Sequence, residues 1–192
     1  MQYYVDKPGW IEVVCGPMFA GKTEELIRRV KRMDFAKKKY LIFKPNIDNR
    51  YSLTEVVSHS QRKVRAINIK ESSEILSHLT EDIEAVLIDE VQFFDEGIIA
   101  ICKDLADRGL RVICTGLDCD FKGNPFPIVA NLLAMAESIT KLTAICVCCG
   151  NEATMTQRII GGLPAKYDDP IILVGEKESY EPRCRKCHIV TK

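Results

Sequence analysis

The stretch "WIEVVCGPMFAGKTEELIRRVKRM", residues 10–33, decides the fold. It opens with a short apolar, β-branched run that ends at Cys15 and reads as a buried strand. It closes with Leu26, Ile27, Val30 and Met33 at helical spacing, with charges between them. The loop joining the two is Gly16-Pro17-Met18-Phe19-Ala20-Gly21-Lys22-Thr23, and its Gly16, Gly21, Lys22 and Thr23 fit G-x-x-x-x-G-K-[ST]. Strand before and helix after is the setting this pattern requires. The glycines allow a compact turn whose backbone N–H groups converge on phosphate oxygens. The helix that follows points its positive dipole end at the same anion. Lys22 can reach the outer phosphates and the Thr23 hydroxyl can coordinate Mg²⁺. A nucleoside triphosphate is therefore expected; the loop does not say where its phosphate goes.

Outward from this stretch, strands and helices alternate. "YLIFK" (40–44), "EAVLIDE" (84–90) and "RVICTGL" (111–117) read as strands. "EELIRRVKRMDFAKKK" (24–39), a short "ESSEILSHL", "FDEGIIAICKDLADRG" (94–109) and "IVANLLAMAESI" (128–139) read as helices. Residues 45–63 are polar and aperiodic and read as a mobile loop. The alternation predicts an α/β fold: a phosphate-loop, RecA-like parallel sheet with helices on both faces, spanning residues 1–143. Residues 144–192, with turns, paired cysteines and short β-like segments such as "PIILVG", read as a second, smaller unit.

Composition narrows the function. Lys plus Arg number 27 and Asp plus Glu number 27, so the net charge is zero and no nucleic-acid partner is expected. No apolar run approaches the ~18 residues of a membrane span. No charged-then-apolar leader pattern is evident, so the expected location is the cytoplasm.

Asp89 ends the apolar run "AVLID". At the C-terminal edge of a parallel strand it faces the crevice where ligands bind in open α/β sheets, and it is the expected Mg²⁺ ligand. Glu90 beside it can accept a proton from the attacking nucleophile. That nucleophile is water in an ATPase motor and a substrate hydroxyl in a kinase.

Of nine cysteines, Cys15, Cys102 and Cys114 lie in apolar runs and read as buried hydrophobes. Cys146 and Cys149 form one C-x-x-C, and Cys184 and Cys187 another, which together suit a tetrahedral Zn²⁺. With four thiolates and no position for water, the zinc reads as structural. Cys148 and His188 adjoin the two pairs and are alternative ligands. The insertion between the pairs is longer than the common ribbon spacing, which suits a loop with a purpose of its own.

"IEVVCGPMFAGKTEELIRR", "DEVQFF", "LDCDFKGNPF", "KLTAIC" and "YEPRCRKC" occur in that order between Gly9 and Cys187. This sequence resembles the type II thymidine kinases, the zinc-containing cytosolic family. The resemblance implies transfer of the ATP γ-phosphoryl group to the 5′-hydroxyl of thymidine, a homotetramer, and inhibition by thymidine triphosphate (dTTP). It makes Glu90 the catalytic base, with Lys22 beside the phosphates. It places Asp48, Asn49, Arg50, Asp89 and Gln92 on the ATP and Mg²⁺ side. Met18, Leu117, Phe121, Thr156 and Tyr180 match positions around the base, and Ile171, Ile172, Leu173, Val174 and Gly175 a segment whose backbone reads the base edge. Two departures are Ala20, where Ser is frequent, and Val91, where Ala or Gly is usual. The rival from another class is a RecA-like ATPase or nucleic-acid-stimulated motor module. It has the phosphate loop and strand-end acids but leaves the zero net charge and the zinc-stapled loop unexplained. A non-catalytic nucleotide-binding scaffold leaves Glu90 beside Asp89 without a task.

Overall fold

The computed structural model describes residues 9–46, 55–57, 63–171 and 178–191. Thirteen strands lie among them: β1 (Trp10–Cys15), β2 (Tyr40–Pro45), β3 (Glu55–Val57), β4 (Lys63–Arg65), β5 (Ile67–Ile69), β6 (Ala85–Ile88), β7 (Arg111–Gly116), β8 (Ser138–Lys141), β9 (Ala144–Ile145), β10 (Glu152–Ala153), β11 (Met155–Ile160), β12 (Leu163–Pro164) and β13 (Glu178–Arg183). Three helices, α1 (Lys22–Phe35), α2 (Gly97–Asp107) and α3 (Pro127–Met135), join the main strands, with short 3-10 turns at Ser72–His78 and Val91–Phe93.

Six strands form one sheet in the order β5-β2-β6-β7-β1-β8, with every pairing parallel. The alternation of side chains along each strand divides the core in two. Ile11, Val13 and Cys15 of β1, with Val86 and Ile88 of β6, pack against Ile98, Cys102 and Leu105 of α2 and Val129 and Leu132 of α3. Leu87 and Ile113 point the other way and meet Leu26, Val30 and Met33 of α1. The 3- and 4-residue spacing seen in the sequence is thus the stripe α1 buries, each such side chain contributing about 1.5–3 kcal/mol. The sheet is covered on both faces, as expected.

One charged group also sits under α1. Glu12 is 6% exposed and accepts hydrogen bonds from Arg29, from Arg111 Nε at 2.6 Å and from Trp10 Nε1 at 2.6 Å. Arg29 also donates to Glu25 at 2.9 Å and to the Thr140 hydroxyl at 2.9 Å, so α1 is tied to β1, β7 and β8 by charge as well as by packing.

Two expectations need correction. The helix expected over 128–139 ends at Met135, and Ser138–Lys141 forms the edge strand β8 beside β1. Ala136 is extended, and β-branched Ile139 and Thr140 suit a strand once Val13 and Val14 offer a ladder. The stretch 45–63 is not wholly irregular either. Glu55–Val57 pairs antiparallel with Lys63–Arg65. The remainder of that stretch from residue 47 on, and most of "PIILVG", lie outside the described residues.

Among the described residues, the strands from Ala144 onward pair only with each other. β9 pairs with β10, and β11 lies between β12 and β13. Because the six main strands are parallel, the C-terminal ends of β1, β6 and β7 share one edge of the sheet, and the short strands stand over that edge. Met18 N donates to Thr156 Oγ1 of β11 at 3.0 Å.

Candidate functional site

The phosphate loop leaves β1 at Gly16, whose φ is 146°. A Cβ there would lie 2.4 Å from the carbonyl oxygen of Leu142, so only glycine fits. Gly21, at φ 82°, turns the chain into α1 from a left-handed conformation. Lys22 is the first residue of α1, and its Nζ donates to the Pro17 carbonyl at 2.7 Å, folding the side chain back over its own loop. Burial pushes the Lys22 ammonium below its ordinary range, while Glu90, Asp89 and Asp118 pull it back up. Ala20 packs against Ala144, Cys146 and Ala153, so a methyl group at this position is used to seat the loop on the short-strand unit.

Asp89 and Glu90 follow β6 directly. Asp89 is buried, and its Oδ1 accepts from the Thr115 hydroxyl and from Glu90 N at 3.0 Å. Glu90 takes a left-handed φ of 54°, uncommon for a residue with a Cβ, and there the chain leaves the strand for the 3-10 turn. Such backbone costs of order 1–3 kcal/mol and clusters at functional sites. Protein surrounding the Glu90 carboxyl pushes its pKa up, with the Asp89 charge adding to this, to about 7 against the opposing pull of Lys22 and Lys44. Glu90 is nevertheless open to the cleft, so water still reaches it before a ligand arrives. Burial raises Asp89 as well, against the hydrogen bonds from Thr115 and Glu90 N.

These groups open into a cleft of about 690 Å³, a volume that suits a small-molecule site. Met18, Phe19, Gly21, Lys22 and Thr23, from the phosphate loop and the start of α1, line it together with Asp89 and Glu90. Leu117, Phe121, Thr156, Ile171 and Tyr180 also line it, with Thr156 joined to the phosphate loop through Met18 N. Gln92 lines it too, its Oε1 accepting from Leu117 N at 3.0 Å. Val91 is fully buried, and beside it Gly116 leaves no room for a Cβ, which would lie 2.6 Å from Gln92 Oε1. Phe121 is 4% exposed and lies under the Arg158 guanidinium, 5.3 Å from the ring centre.

Cys146, Cys149, Cys184 and Cys187 converge, all four Sγ atoms lying within 4.8 Å of one another. Tetrahedral zinc at ~2.3 Å from each sulfur needs Sγ atoms ~3.8 Å apart, so this set fits Zn²⁺. Neither alternative ligand joins it. Cys148 is exposed and contacts Arg183, and His188 Nε2 lies 2.8 Å from the Phe121 carbonyl oxygen.

A family model described as thymidine kinase matches residues 9–188. The chain belongs to the thymidine kinase family. It is therefore a nucleoside kinase, and the type II resemblance, the parallel sheet and the four-cysteine cluster agree with one another. No helix among the described residues is long and apolar enough to cross a membrane.

Of the residues expected at the site, Gly16, Pro17 and Ala20 form the loop behind the cleft wall. Asp48, Asn49, Arg50, Ile172, Leu173, Val174 and Gly175 lie outside the described residues. The cleft is also lined by Glu24, Phe93, Gly116, Cys119, Asp120 and Phe126, which residue-level reading missed. Phe93 and Phe126 had a signal, since both fall in quoted motifs. They meet edge to face with ring centres 6.2 Å apart. Asp120 falls in the same quoted motif as Phe126, but its task shows only in three dimensions: its Oδ1 accepts from Lys122 N and Asn124 N at 2.9 Å each.

Proposed function

We propose that the protein transfers the γ-phosphoryl group of ATP to the 5′-hydroxyl of thymidine, giving thymidine monophosphate. One observation carries this reading: a single cleft is lined at once by phosphate-loop residues, by Asp89 and Glu90, and by the aromatic side chains of Phe121 and Tyr180. Phosphoryl transfer is mainly positioning and charge neutralisation. In this reading Lys22 and the loop N–H groups bind the ATP phosphates, and Glu90 accepts the proton of the 5′-hydroxyl as the bond to phosphorus forms. Phe121, Thr156 and Tyr180 hold the base with Met18 and Leu117, and Ile171 begins the segment that reads the base edge. Thr23 and Asp89 would hold Mg²⁺, to which their hard oxygen donors are suited, and it would offset phosphate charge. The four cysteines would hold Zn²⁺, which supplies a structural cross-link. Residues 1–143 form the kinase unit and 144–192 a zinc-binding module that closes over the nucleoside. Enclosure matters because water competes for the phosphoryl group. The same reading includes a homotetramer in the cytoplasm.

It also includes feedback by dTTP. A thymine nucleotide seated in the aromatic pocket extends its phosphates toward Gly16–Thr23, where ATP phosphates otherwise bind. Base recognition and charge-assisted phosphate contacts then act in one molecule, which binds more tightly than thymidine and cannot react at its 5′-position. Steady-state inhibition by thymidine, deoxycytidine and uridine triphosphates tests the arrangement. Strong inhibition by dTTP alone, relieved by thymidine, is the expected result. Equal inhibition by all three contradicts it.

A further inference from the structure

None of the four cluster cysteines lines the cleft, yet one side chain connects the cluster to the aromatic pocket. His188 directly follows the cluster cysteine Cys187. Its Nε2 lies 2.8 Å from the carbonyl oxygen of Phe121, the residue whose ring forms the buried wall of the pocket. A carbonyl only accepts, so Nε2 carries the proton and donates. The Nε2–H neutral tautomer and the imidazolium both do this, so the bond does not depend on the protonation state.

The two ends of this bond differ in how they are held. On the His188 side the backbone is fixed twice. His188 N and Cys187 N both donate to the Cys184 carbonyl at 3.0 Å, placing His188 in the turn of the cysteine pair. The next residue, Ile189, exchanges two hydrogen bonds of 2.8 Å with the buried Gln157 side chain on β11. On the Phe121 side the backbone is a loop tip. Residues 118–126 are knit by their own turn, with Asp120 N donating to Asn124 O at 2.9 Å and Phe126 N to Asp118 O at 3.0 Å. Those bonds shape the loop but do not fix where its tip lies relative to β11 and the pocket. Four contacts do that: Arg158 over the Phe121 ring, Lys122 over the Tyr167 ring at 5.1 Å, Gly123 against the Met155 side chain of β11, and His188 on the Phe121 carbonyl, the one directed hydrogen bond of the four.

We propose that His188 is a positioning residue: its Nε2–H, held by the zinc turn, fixes the Phe121 loop and thereby sets the affinity for the nucleoside base. The inference rests on the reading that Phe121 contacts that base. Without the donor, the Phe121 loop occupies its binding-competent position for a smaller fraction of the time. The apparent dissociation constant for nucleoside rises by the inverse of that fraction. One hydrogen bond of ordinary net strength corresponds to about a 3- to 10-fold change. The phosphate loop, tied instead through Thr156 and Ala20, keeps its ATP affinity.

The test is calorimetric titration of thymidine and of ATP into purified protein, with zinc measured on the same samples. The variants are His188→Phe, which keeps a ring without a donor, His188→Gln, which retains an N–H donor, and Phe121→Leu. The expected result is a 3- to 10-fold weaker thymidine affinity for His188→Phe, with ATP affinity within about twofold and zinc content unchanged. His188→Gln recovers most of the loss, and Phe121→Leu also weakens thymidine. Loss of zinc from His188→Phe overturns the proposal, because it makes the imidazole a metal ligand. Equal weakening of ATP and thymidine, or no recovery with His188→Gln, overturns it as general disorder of the module. Unchanged thymidine binding in His188→Phe beside weakened binding in Phe121→Leu overturns it while leaving the pocket assignment standing. Unchanged binding in both removes the pocket assignment and the proposal together.

Discussion

At the residue scale, Glu90 combines two properties that each cluster at functional sites. Its backbone is left-handed at φ 54°, and its carboxyl pKa is raised to about 7 by the protein around it and by Asp89. A base works only when deprotonated, and works best when its pKa is near the operating pH. As pH falls through about 7, Glu90 takes up a proton and kcat/KM declines, approaching tenfold per pH unit. Glu90→Gln keeps the shape and removes the base, so turnover drops by ~10²-fold or more and the acidic limb disappears, while ATP binding stays nearly intact. Parent-like turnover in the purified variant contradicts the assignment. The position of Glu90 at a strand end was legible in "VLIDE"; its left-handed backbone was not, because nothing in the residue type favours it. His188 shows the same limit. The sequence left it as a possible zinc ligand, and only the approach of the Phe121 loop, 67 residues away in the chain, settles its partner.

At the scale of elements, legibility followed periodicity. The strands β1, β2, β6 and β7 and the helices α1 and α2 were evident because each carries its burial pattern within itself. The helix over 128–139 was read too long because "AESI" continues an apolar period, whereas Ser138–Lys141 takes its strand form from β1, more than a hundred residues earlier. The pair β3 and β4 and the edge strand β5 went unseen for the same reason: three-residue strands are specified by their partners. The Glu12 network under α1 was invisible as well, and it yields a prediction. Burial by itself would raise the Glu12 carboxyl, but hydrogen bonds from Arg111 and Trp10 and the charges of Arg111 and Arg29 hold it below its ordinary value. The group thus stabilises the fold above the unfolded carboxylate range, and that contribution is lost as pH falls through its lowered folded value. Glu12→Gln leaves Arg29 buried with Glu25 as its remaining carboxylate partner and should cost about 3 kcal/mol in a urea melt at pH 7. An unchanged midpoint contradicts a stabilising role for the network.

At the scale of the whole molecule, the parallel sheet brings the phosphate loop, the acid pair and the β7 loop to one edge, and the short-strand module stands over them. Zinc should copurify at about one ion per chain. Its removal by a chelator should weaken thymidine binding before the far-ultraviolet circular dichroism of the main sheet changes, since the two contribute separate hydrogen-bonded units. Metal-free, fully active protein contradicts that role. In the proposed function the cleft passes phosphate to a nucleoside rather than to water. The most direct measurement supplies ATP labelled in its γ-phosphate with Mg²⁺ and either thymidine, single-stranded DNA or nothing, and separates the products. Label is expected in thymidine monophosphate, formed only with thymidine and in step with ADP. Label released chiefly as inorganic phosphate, or ATP consumption stimulated by DNA and indifferent to thymidine, would contradict it.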